Sequence, residues 1–90
     1  MSKDLVVESI DRLIKAVNQY QEELRYNAQI LENAANACDA AMGNGEIAKK
    51  QIARLHDALK EIEKTAELAQ SVSEALIWER KQAVEIYNES

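Results

Sequence analysis

Few residues in this 90-residue chain have the types needed for chemistry. His56 is the single histidine, with Asp57 beside it and Lys60 one turn on. Zinc or a di-metal centre would need Glu-x-x-His or His-x-x-x-His spacing, which places two donors on one helix face; the chain has neither. A histidine base would also need a nucleophile, an orienting partner and a pocket, and a bare helical rod offers none. His56 therefore reads as a surface residue. Cys38 is the single cysteine, so no disulfide and no cysteine-based metal cluster can form within one chain. It reads as a small buried apolar residue, an intermolecular disulfide being the alternative. Glu22, Glu23, Glu61, Glu63 and Glu67, with Lys60 and Lys64 among the last three, have the spacing of a solvated helix face with pairs such as Lys60–Glu63 across a turn. Glycosidase-like use of two carboxylates would need a cleft. The expectation is a chain that is not an enzyme and that holds no metal or cofactor.

Composition and charge narrow the partners. The net charge is -5, and 30% of residues are charged. Residues 1–42 hold four basic and seven acidic residues; residues 46–90 hold seven and nine. Neither arm carries a basic stripe for phosphates, which argues against nucleic acid. An anionic membrane surface would repel the chain, and no apolar run approaches the ~20 residues of a membrane span. Met1-Ser2-Lys3-Asp4 leads into an amphipathic pattern rather than the apolar segment of a secretory signal. The expected location is the cytoplasm, or outside the cell by a route that needs no cleaved signal.

Spacing defines the elements. Proline is absent, and Gly43 and Gly45, the two glycines, sit together near the middle. Helix formers dominate the rest. From about residue 4 to 42, Val7, Ile10, Ile14, Val17, Leu24, Ala28, Leu31, Ala35, Cys38 and Met42 recur in three- and four-residue steps, with Gln21 in the one gap. That is a heptad seam. Val6, Leu13, Tyr20, Asn27, Ala34 and Ala41 flank it at seven-residue spacing, and Lys15, Glu22, Arg25, Glu32 and Asp39 take the opposite face. Asn27 in the flanking row either fixes register or faces solvent. Gly43-Asn44-Gly45 tolerates positive φ, and glycine is usual just past a helix end. Asn44 is a good N-cap for the second helix, and Glu46 suits a helix's first turn. From about 46 to 87, Ala48, Ile52, Leu55, Leu59, Ile62, Ala66, Ala69, Ser73, Leu76, Arg80, Ala83 and Tyr87 keep the rhythm, with Ala58, Val72 and Ile86 beside them. Ser73 and Arg80 weaken that seam. Ser71-Val72-Ser73-Glu74 has the form of a capping box, but without glycine or proline it reads as continuous helix.

The fold class is therefore all-α: one domain over residues 1–90, an antiparallel two-helix hairpin with its turn at Gly43, Asn44 and Gly45. Two helices of about 40 residues, each roughly 60 Å long, bury one stripe apiece. Val6, Leu13, Tyr20, Val72 and Ile86 would stay wet in a lone hairpin. Pairing two hairpins into a four-helix bundle covers them, so a homodimer, or a heterodimer with a related hairpin, is expected. Trp78 falls with Glu74, Lys81 and Glu85 on a largely polar face. An exposed tryptophan suits a contact hot spot; the alternative is that the helix rotates and buries it in the dimer. Ile77 and Val84 lie off the seam and join Trp78 and Tyr87 as candidate partner-binding residues.

With Ala41-Met42-Gly43-Asn44-Gly45 at a glycine-containing turn between two long arms, the layout resembles the WXG-type helical hairpins of type VII secretion. The likeness covers the whole chain as a layout. Met42-Gly43 stands near where that family places Trp-x-Gly, and Trp78 belongs to the second arm. Tyr87 is followed by Asn88, Glu89 and Ser90 rather than by an acid four residues on. The chain is thus more similar to the relatives without tryptophan that accompany LXG toxins. That resemblance implies a targeting or chaperone-like partner, itself a secretion substrate, that binds the helical N-terminal domain of a secreted toxin. It makes Trp78 and the C-terminal region docking elements. The competing expectation is a structural coiled-coil subunit, such as a secretion needle-type hairpin.

Overall fold

The structure, a computed structural model, describes residues 3–42 and 45–89. It contains two helices, α1 (Lys3–Met42) and α2 (Glu46–Glu89), and no strand among the described residues. The chain is an all-α helical hairpin. Each helix has an acid in its first turn, Asp4 in α1 and Glu46 in α2, where the helix dipole favours negative charge. α2 continues two residues beyond the expected end at 87. Ser71 Oγ donates to the Glu67 carbonyl at 3.2 Å within unbroken helix, so the sequence around it restarts nothing.

Gly43 and Asn44 of the expected turn lie outside the described residues, as does the side chain of Met42, last residue of the first seam. The N-cap is corrected. The Lys49 amide donates to the Gly45 carbonyl at 3.0 Å, so Gly45 rather than Asn44 stands in the capping position of α2. Gly45 does not use the left-handed backbone region, and a Cβ built there meets nothing within 4 Å.

The chain divides into two compact units. A turn unit spans Glu22–Ala66, and a terminal unit joins Met1–Gln21 to Glu67–Ser90. In the turn unit Leu24, Ala35 and Ala48 are buried, and Ala28, Leu31, Cys38, Ile52, Leu55, Leu59, Ile62 and Ala66 are half-buried. Cys38 is thus a half-buried free thiol rather than a fully buried one. In the terminal unit Ala69 and Ser73 are buried. Val7, Ile10, Ile14, Val17 and Gln21 of α1 and Leu76, Arg80, Ala83 and Tyr87 of α2 are half-buried. Every seam position whose side chain is described is therefore drawn from solvent, while Lys15, Glu22, Arg25, Glu32 and Asp39 stay exposed.

Three polar contacts register the helices of the terminal unit. Arg80 Nε donates to Asp11 Oδ1 at 2.6 Å, Ser73 Oγ to Asn18 Oδ1 at 3.5 Å, and Gln21 Nε2 to Gln70 Oε1 at 2.9 Å. Seven residues forward on α1, from Asp11 to Asn18, match seven backward on α2, from Arg80 to Ser73. The helices therefore run antiparallel. The Asp11–Arg80 pair is about half exposed on both sides, so it stabilises by no more than about 1 kcal/mol and acts chiefly as a positional constraint.

Two substitutions test these assignments. Gly45→Ser adds a capping hydroxyl where there is room and narrows the unfolded ensemble. It should stabilise the chain by roughly 0.5–1 kcal/mol in urea unfolding. Ser73→Ala removes a 4% exposed hydroxyl held by one long hydrogen bond and inserts the best helix former. A gain of about 0.5 kcal/mol is expected, and a clear loss would show that the Asn18 contact matters more than its length suggests.

Candidate interaction surface

The chemistry-bearing residues are not gathered. His56 and its neighbours Asp57 and Lys60 are exposed on α2 of the turn unit. Among the described residues no three of His, Cys, Asp or Glu stand close enough to hold a metal. The carboxylates Glu22, Glu23, Glu61, Glu63 and Glu67 are exposed, and Lys64 Nζ reaches Glu61 at 3.6 Å across one turn. This is a solvated face.

What the terminal unit presents is surface, and its two sides differ. The contacts Asp11–Arg80 and Asn18–Ser73 mark one side of the seam. That bridged side carries an open groove of about 400 Å³ lined by Asp4, Val7, Glu8, Asp11, Arg80 and Val84. A neighbouring groove of about 310 Å³ is lined by Ile77, Arg80, Lys81, Val84 and Glu85. Ile77 and Val84 lie four residues beyond Ser73 and Arg80, which stacks them on this side. The expected contact residues thus separate: Ile77 and Val84 enter the bridged groove, and Tyr87 is half-buried on the seam. Trp78, 62% exposed, stands among the exposed Glu74, Lys81 and Glu85, as its spacing indicated.

The other side is apolar. Leu13 and Tyr20 precede the seam residues Ile14 and Gln21 by one position, and Val6 likewise precedes Val7. That turns them about 100° away from the seam and off the bridged side. On α2, Val72 lies one turn before Leu76, and Ile86 continues its seven-residue row. Leu13 (54%), Tyr20, Val72 and Ile86 (61%) are exposed, and Val6 is half-buried. In the turn unit the corresponding row on α1 dwindles to the exposed Asn27, the half-buried Ala34 and the exposed Ala41. The large exposed apolar side chains of this row therefore belong to the terminal unit. The sequence marked these rows through their heptad spacing; it missed that both rows share a side, because that depends on how two distant segments pair.

No family model, curated protein or solved structure matches the chain in comparison with each. No described helix is long and apolar enough to cross a membrane.

Trp78 reports on its own surroundings. Its fluorescence should have the red-shifted emission of a wetted indole and be quenched freely by iodide. A blue-shifted, protected signal from the isolated chain would mean that the residue is covered by self-association.

Proposed function

We propose that this chain is a non-enzymatic helical interaction module that completes a four-helix bundle with a second helical hairpin. In keeping with its resemblance to type VII secretion hairpins, its role is that of a secretion substrate or a targeting partner of a secreted toxin. The observation that carries the first part is the apolar side of the terminal unit, where Val6, Leu13, Tyr20, Val72 and Ile86 flank a seam already filled by other residues.

Surface area supports it. The chain exposes 6864 Å² for 10.1 kDa. A globular monomer of that mass exposes about 5,300 Å², leaving roughly 1,600 Å² of excess, about twice what one partner contributes to a standard interface. Within the described residues, three of the four buried apolar side chains are alanines, which bring little hydrophobic stabilisation. A partner helix pair laid on the apolar side would cover Leu13, Tyr20, Val72 and Ile86, which the hairpin itself leaves exposed. Trp78 and the Ile77–Val84 groove lie away from that side and remain available to a further contact, such as a toxin's helical domain.

The test is co-expression with the helical products of neighbouring genes, followed by light scattering. A stoichiometric complex is expected with one of them, and Leu13→Asp should weaken it on the order of tenfold to a hundredfold, from about 1.5–3 kcal/mol of lost leucine burial. Circular dichroism of the variant should keep its helical signal. A complex indifferent to both Leu13→Asp and Val72→Asp would remove this surface from the proposal. Retention of all toxin-domain binding by Trp78→Ala would remove the docking role of Trp78.

A further inference from the structure

The apolar side of the terminal unit contains one charge. Val72, Glu79 and Ile86 succeed one another at seven-residue intervals, and Glu79 lies one turn before the seam residue Ala83, so the carboxylate occupies the centre of the α2 row. Glu79 is exposed. A partner laid over Leu13, Tyr20, Val72 and Ile86 must cover it. Covering a carboxylate without a counter-charge is costly, and the cost is avoided when the incoming surface brings a cation with hydrogen-bonding capacity.

A second copy of this chain has none to bring on the matching surface. Of the cations in the terminal unit whose side chains are described, Arg80 is held by Asp11 on the bridged side, and Arg12 pairs with Glu8 at 2.9 Å. Lys15 falls on the polar face of α1, and Lys81 stands beside Trp78 on the outer face of α2. The apolar rows themselves carry no lysine or arginine in this unit. In self-pairing that lays the apolar side of one terminal unit on that of another, the facing rows would bring Glu79 apolar side chains or the other copy's Glu79.

Resting on the bundle reading above, we propose that Glu79 is the specificity residue of this surface. Its occupant is a different helical chain, apolar in its facing rows and carrying one lysine or arginine opposite Glu79. The carboxylate then works in two directions: it pairs with the correct partner and opposes assembly of the chain with itself. One charge amid an apolar helical contact is an effective selector because its cost is large only when the match is wrong.

The experiment uses the full chain alone, by light scattering and sedimentation at neutral pH over a concentration series. The wild-type chain should be monomeric, and Glu79→Leu should self-associate on the order of tenfold more tightly or better. Glu79→Gln, which keeps the shape and removes the charge, should shift the same way by less. Combining Glu79→Leu with Leu13→Asp should restore the monomer, tying the new dimer to this face. A wild-type chain that already dimerises, with Glu79→Leu giving no gain, would overturn the assignment. If Leu13→Asp dissolves that dimer, the docking surface itself stands. Equal monomers for wild type and Glu79→Leu would also overturn the role of Glu79, while leaving the bundle reading to the co-expression result.

Discussion

The narrowness of the apolar seam governs this molecule. Two helices of 40 and 44 residues meet along a stripe in which each heptad offers two positions per helix. Many of those positions hold alanine. Alanine permits close approach of two backbones but removes little apolar area from water, and the leucines, isoleucines and valines between the alanines are for the most part only half-buried. Leucine, tyrosine, valine and isoleucine are left on the flanks.

Polar residues in the terminal unit sharpen the arrangement. Ser73 and Arg80 interrupt the apolar rhythm of α2, and their partners Asn18 and Asp11 lie at matching steps on α1. Gln21 and Gln70 add a third link, and Gln70 Nε2 passes it on to Glu74 at 3.2 Å. Exposed contacts of this kind contribute little stability. Their worth is positional: a slide of one helix along the other by one heptad step breaks all of them together. They also make the two sides of the seam unlike. One side is bridged and holds open grooves lined in part by Val7, Ile77 and Val84, and the other is left to Leu13, Tyr20, Val72 and Ile86.

The same geometry accounts for the dispersal of its reactive groups. His56 lies on the outer surface of the turn unit, Cys38 is half-buried in that unit's seam, and the carboxylates spread along solvated faces. Converging several such side chains on one point requires concavity, which two helices packed along a single stripe supply only as shallow furrows.

Most of the local structure was legible in the sequence. Helical spans, the seam from Val7 through Tyr87, the wet flanks and the exposure of Trp78 all come from periodicity, because a helix places its side chains by a rule that needs only neighbours in the chain. Capping was less legible: Asn44 had the better side chain for the role, yet the first described bond into α2 is accepted by the Gly45 carbonyl. The pairing of α1 with α2 lay beyond any local rule. That Asp11 meets Arg80, that both flanking apolar rows fall on one side, and that Glu79 stands in the middle of that side were decided by contacts between residues far apart in sequence. Periodicity assigns each helix its face, but only packing determines which faces of two helices come to lie together.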